Sequence, residues 1–215
     1  MNVSTEMRFP NESPAYRQHR DKLLAAEAAL REQVETVAAL RRELPLGGLV
    51  GDYEFDSANG KTQLADQFQR HQTLIAYSFM FGPDDQRPCP MCASFVAGLL
   101  GQLPQLERRV DLVVIARSSY PRLQKMVAAR GWQDLNWLSA AGNRFASAYH
   151  SEDQFGGQRP MCHVFVKRGG RVHHYWSSEL LLVARQGQPR HLDTLWPLWN
   201  LLDLTPEGRG DFMPT

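Results

Sequence analysis

Several things are scarce in this 215-residue chain. Three cysteines are too few, and too odd in number, for a disulfide-stapled secreted domain. Net charge is nearly absent: 24 basic against 23 acidic side chains leave a formal +1, so no pull toward nucleic acid or a membrane surface is expected. No apolar run reaches the roughly 20 residues that a membrane-spanning helix needs. The opening Met1-Asn2-Val3-Ser4-Thr5-Glu6 has neither a basic start nor an apolar stretch. No signal peptide is expected, and the cytoplasm is the default compartment. Core material, by contrast, is ample: 43% hydrophobic and 10% aromatic residues suffice for one substantial domain with an appendage.

The appendage comes first. Between Pro14 and Pro45 there is neither glycine nor proline, and Tyr16, Leu23, Leu30, Val37 and Leu44 recur every seven residues. This predicts one long amphipathic helix. Arg20, Glu27, Gln33 and Arg41 interrupt its apolar seam. A helix packed along its own domain and a homodimerising arm both fit that pattern. The expected division is a lead-in and helix over 1–45 and an α/β domain over 46–215.

In the second part, residues 53–55 suggest a strand, 58–61 a turn and 64–68 a short helix. Residues 74–81 are apolar almost throughout, as in a strand covered on both faces. Phe95, Val96, Leu99, Leu100 and Leu103 step at helical spacing, with Pro104 as the expected stop. Next come a strand over 110–116 and a helix capped by Ser119 and closed by Gly131. A strand over 136–139 and a short helix over 144–150 follow. Residues 161–167 and 171–175 flank Gly169-Gly170 as a hairpin, and 191–204 read as a helical tail. The alternation implies right-handed crossovers and a parallel core with an antiparallel edge.

Cys89-Pro90-Met91-Cys92 lies between the apolar strand and the helix. A C-x-x-C in that position is the arrangement of thioredoxin-like redox proteins, although half a zinc site has the same spacing. Thiol–disulfide exchange needs one thiolate to attack and a second thiol to release the adduct. At a helix N-terminus the unpaired N–H groups favour charge on Cys89, which makes it the expected nucleophile and Cys92 the buried resolving thiol. The dipole gives only ~0.3–1 kcal/mol, so Arg87 and a hydrogen bond from Cys92 are candidate supplements. Pro90 removes one N–H donor and fixes the turn. Asp84 and Asp85 can be proton relays or ordinary loop acids. Pro160, just before the hairpin, is where a cis bond would bring backbone against the cysteines. Cys162 reads as a third redox thiol or an inert buried one. His163, His173 and His174 leave a zinc set with the three cysteines as an alternative, weakened by the lack of a second paired motif. No cofactor or metal is expected.

These residues also resemble a known family of thioredoxin-like proteins of unknown function, often labelled predicted dithiol-disulfide oxidoreductases, within the wider peroxiredoxin-like group. The carrying segments are Asp52-Tyr53-Glu54-Phe55-Asp56, Phe79-Met80-Phe81-Gly82-Pro83, Cys89-Pro90-Met91-Cys92, Gly131-Trp132, Ser139-Ala140-Ala141-Gly142 and Leu202-Asp203-Leu204-Thr205-Pro206-Glu207-Gly208-Arg209. The resemblance implies a thioredoxin-like α/β fold, a mixed sheet flanked by helices and preceded by the long helix. It also implies a redox role for Cys89 and Cys92, with Pro160 at the family's proline. After His173-His174-Tyr175 the chain departs from the family, running Trp176-Ser177-Ser178-Glu179.

The leading expectation is a thiol–disulfide oxidoreductase acting on protein or small-molecule disulfides or thiols. A peroxiredoxin-like peroxidase is the alternative, although residues 82–88 hold neither Thr nor Ser. A non-enzymatic binding protein on the same scaffold is the third reading.

Overall fold

Ser13 starts the first element. In the computed structural model, which describes residues 7–183 and 191–214, its hydroxyl accepts the Tyr16 N–H at 3.1 Å and caps helix α1 (Pro14–Arg42). The opening segment 1–6, where the leader question arises, lies outside the described residues. Pro14 occupies a first-turn position, where the missing N–H costs nothing. At 29 residues α1 is about 44 Å long. Arg17 clamps its first turn by pairing with Glu12 and Asp21, and Arg20 pairs with Glu27 at 2.9 Å. The chain divides into two units, Met1–Pro45 and Leu46–Thr215.

The second unit is built on one seven-stranded sheet. Its strands are β1 (Glu54–Ser57), β2 (Gly60–Gln63), β3 (Thr73–Phe79), β4 (Asp111–Ala116), β5 (Trp137–Ser139), β6 (Met161–Arg168) and β7 (Arg171–Ser177). They lie in the order β2-β1-β5-β4-β3-β6-β7. β3, β4 and β5 are parallel, joined by crossovers that carry α2 (Pro90–Leu100), α3 (Leu103–Leu106) and α4 (Tyr120–Arg130). The β6–β7 hairpin adds an antiparallel edge to β3, and its two glycines have φ of +55° and +76°, which side chains disfavour. This is the thioredoxin-like plan that the sequence led one to expect.

Three local expectations need correction. Residues 60–63 form a second strand, and β1 and β2 make a hairpin on the β5 edge. Pro104 does not stop α2; Gly101 ends it, and Pro104 sits in the first turn of α3. The tail is helical only over α6 (Pro197–Leu202), after a 3₁₀ turn at Asp193–Leu195, because Pro197 starts a helix rather than continuing one. The short helix α5 is Phe145–Ala148.

Strand alternation sorts the core into two faces. Tyr77, Phe79, Val114, Trp137 and Cys162 face one way, packed with Phe95 and Val96 of α2, Leu123 of α4 and Trp199 of α6. Leu74, Ala76, Val113, Leu138 and Phe165 face the other, with Phe55 and Phe145. Phe145 is fully buried, and its ring lies 5.4 Å from Phe55 and 5.5 Å from Tyr53. Phe145→Ala should cost about 3–5 kcal/mol in urea unfolding, the usual range for removing a buried Phe. A loss below about 1 kcal/mol would contradict this packing.

Candidate functional site

The last residue of β3, Phe79, leads through a loop over 80–88 into α2. Both ends of this loop are pinned. The Cys89 N–H donates to Met80 O at 3.0 Å, and the Ser118 N–H donates to Phe81 O at 2.8 Å. The Asp85 carboxylate accepts the Gly82 N–H at 2.6 Å and the Gln158 amide at 2.7 Å. The Arg122 guanidinium, reaching across from α4, donates to the carbonyls of Gly82, Pro83 and Asp85 and covers the Phe81 ring at 4.9 Å. The Ser118 hydroxyl adds a bond to Gly82 O at 2.9 Å. A Cβ on Gly82 would stand 2.8 Å from the Gln158 amide nitrogen and 3.3 Å from the Asp85 carboxylate, so a larger residue here would have to push the Gln158 side chain aside.

This loop delivers Cys89 as the N-cap of α2, half-buried, with Cys92 one turn on and almost wholly buried. Both are free thiols. Pro90 is the first helical residue and offers no N–H, so the donors to the Cys89 sulfur are the Cys92 thiol and the N–H groups of Cys92 and Met91. The Cys92 thiol gives the largest contribution. Together these donors outweigh partial burial and the nearby Asp85 charge, and lower the Cys89 thiol to about 6. Cys92 is pushed well up, first by its bond to the Cys89 sulfur and then by burial.

A residue that sequence reading did not single out completes the set. Tyr77, on β3, is buried and its hydroxyl is hydrogen-bonded to Cys92, which partly offsets the upward push on that thiol. The available signal was its place in strand alternation, one polar-tipped ring in an apolar strand, two residues before Phe79 on the same face.

The other candidates are placed as follows. Arg87 is exposed on the loop, and the leading contributions to the Cys89 thiol come from elsewhere. Asp84 is exposed. Asp85, offered as a proton relay, is a loop clamp: its hydrogen bonds to Gly82 and Gln158, with Arg122 beside it, hold the carboxyl below its ordinary value. An acid held ionised is a poor proton donor. Pro160 precedes β6 with a trans bond, there being no cis peptide among the described residues, and its carbonyl lies 2.7 Å from His191 Nε2. Cys162 lies opposite Tyr77 in the β3–β6 register, and burial pushes its thiol up to about 12, as for an inert core cysteine. His163 belongs to the opposite face of the sheet. It is fully buried, with Nδ1 2.7 Å from Ser177 Oγ, and burial lowers it to about 3. The proposed zinc set is therefore not assembled. No group of three or more His, Cys, Asp or Glu suited to a metal occurs among the described residues.

Fold and site together define a thioredoxin-like α/β protein with a dithiol at the head of its second helix. The chain belongs to the family described as "Bacterial protein of unknown function (DUF899)", which matches residues 7–214. None of the curated proteins matches it. Among solved structures it is similar to a PrxQ variant from Xylella fastidiosa, at 14% identity and a TM-score of 0.49, covering 74% of this chain and 97% of that one. It is also similar to the peroxidoxin BcpB of Mycobacterium tuberculosis, at 16% identity and a TM-score of 0.46, covering 72% and 96%. A hypothetical protein from Sinorhizobium meliloti gives 18% identity and a TM-score of 0.43, covering 67% and 75%. Similarity at this level carries no chemistry. No helix of the described residues is long and apolar enough to cross a membrane.

Two outcomes follow from the thiol geometry. Alkylation of the reduced protein should modify Cys89 alone, with a rate that rises around pH 6; preferential labelling of Cys92, or a midpoint near 8.5, would contradict it. The second concerns stability. The folded value of Cys89, about 6, lies below the unfolded value of about 8.5, so across that window the unfolded chain binds the extra proton. Stability of the reduced protein should therefore rise with pH from about 6 to 8.5, and lose this contribution as pH falls through 6. Urea midpoints for Cys89→Ser should lack that slope; parallel pH profiles for the two proteins would count against it.

Proposed function

We propose that the protein is a thiol–disulfide oxidoreductase in which Cys89 attacks and Cys92 resolves. The observation that supports this reading is the asymmetry of the pair: Cys89 is half-buried and held as thiolate near neutral pH, while Cys92 is buried, protonated and hydrogen-bonded to it. The Cys89 thiolate attacks one sulfur of a substrate disulfide, forming a mixed disulfide and expelling the other sulfur as a thiolate that takes a proton from water. Cys92 then gives up its proton and attacks the Cys89 sulfur. This closes the Cys89–Cys92 disulfide and releases the second substrate thiolate. Two electrons pass from the dithiol to the substrate, and the reverse sequence oxidises a substrate dithiol. Pro90 contributes by rigidifying the first turn, while leaving the sulfur one N–H donor fewer.

The potential of the couple follows from how well the reduced state is stabilised. A Cys89 value of about 6 lies between those of thioredoxin, near 7, and DsbA, near 3.5. The potential of the couple should accordingly fall between about −270 and −120 mV. Redox titration against glutathione measures it, and a value below about −270 mV would contradict the thiolate argument. In parallel, the reduced protein should turn over a disulfide substrate such as insulin with added dithiothreitol, and Cys89→Ser should abolish that turnover. Rapid peroxide consumption without disulfide reduction would replace this reading with the peroxidase one, and silence in both assays would favour the binding-protein reading.

A further inference from the structure

Beneath the C-terminal half of α2 lies a cavity of about 310 Å³, at the lower end of the range for small-molecule sites. Its floor is the sheet face that also supports the dithiol: Ile75 and Tyr77 from β3, Leu112 from β4 and Cys162 from β6. Phe95 and Leu99 of α2 and Leu106 of α3 form a wall. At the rim the lining changes character to Gln102, Thr194 and Asn200, all uncharged hydrogen-bonding groups. Asn200 commits its amide nitrogen to the carbonyls of Asp193 and Trp196, which directs its remaining polar atom, an acceptor oxygen, to other donors. Among the described residues, no Lys, Arg, His, Asp or Glu lines the cavity. Its two titratable groups, Tyr77 and Cys162, are kept neutral by burial.

An apolar interior of this kind is poorly suited to water, which needs two to four polar partners. A carboxylate or ammonium would meet no opposite charge among these described lining residues. We propose that this cavity binds a small uncharged amphipathic molecule, an alkyl chain seated against the sheet with a neutral hydroxyl-like head at the Gln102–Thr194–Asn200 rim. At about 30 Å³ per water-sized group, the volume accommodates on the order of ten heavy atoms. The site requires no thiol chemistry and stands apart from the reading of Cys89 and Cys92.

The test is calorimetric titration of the full chain with 1-butanol, 1-hexanol, 1-octanol and octanoate at pH 8. Affinity for the alcohols should rise about fourfold for each added methylene, equivalent to about 0.8 kcal/mol. Octanoate should bind at least tenfold more weakly than octanol. Thr194→Trp, at the exposed rim, and Leu99→Trp, in the wall, should each lower octanol affinity at least tenfold while retaining a cooperative melt. Should Leu99→Trp fail to fold, Thr194→Trp decides alone. Absence of saturable binding, affinity independent of chain length, octanoate binding as tightly as octanol, or undiminished binding in the folded blocking variants would each overturn the proposal.

Discussion

The clamp on residues 80–88 sets where the chain enters α2 and so fixes the surroundings of Cys89. A strand buried on both faces has to turn abruptly into a helix, and the turn exposes carbonyl and amide groups that need partners. Arg122 satisfies three of those carbonyls from a neighbouring helix, and Asp85 satisfies the Gly82 amide from within the loop. Each clamp residue carries charge, and the two charges lie close together, so the loop gains rigidity without accumulating net charge beside the thiol. Loosening either group would free the point at which Cys89 enters α2, and with it the angle at which its sulfur meets the first-turn amides.

At the thiol itself, opposing effects are resolved by hydrogen bonding. Partial burial and the Asp85 carboxylate both work against a negative sulfur, whereas the Cys92 thiol and two backbone amides work for it. The donors outweigh the opposing effects, and the charge of Asp85 is offset by Arg122 beside it. The same bond that stabilises charge on Cys89 withholds it from Cys92. One interaction thereby shifts two chemically identical residues in opposite directions, and Tyr77 moderates the difference from below.

Much of this was legible in the residues. The C-x-x-C between an apolar run and a helical pattern, the Gly169-Gly170 hairpin and the Ser119 and Gly131 helix ends all depend on neighbours in sequence, and local rules capture them. What escaped depends on distant partners. Arg122 and Gln158 reach the loop across 37 or more positions of chain, and neither carries a local mark of that role. Residues 60–63 are polar and short, so their strand character comes from pairing with β1 rather than from their own pattern. Pro104 was read as a stop and Pro197 as lying inside a helical tail, yet both begin helices, because proline ends one helix and begins another with the same ring. Asp85 was recognised as a charged loop residue near the cysteines, but its hydrogen-bonding partners, which decide between relay and clamp, are set by tertiary structure.

Cys162 and His163 are neighbours on one strand, yet they belong to different cores. The thiol lies opposite Tyr77 beneath the dithiol helix, and the imidazole is enclosed with Phe145 and Phe165 on the other side. β6 therefore acts as a partition whose two surfaces cannot be edited separately by insertion or deletion. A single-residue slip would carry the imidazole into the sulfur-lined side and the thiol among the aromatic rings, exchanging the contents of both compartments at once. Substitution can tune either side on its own, but any change in the length of this strand has to be accepted by both.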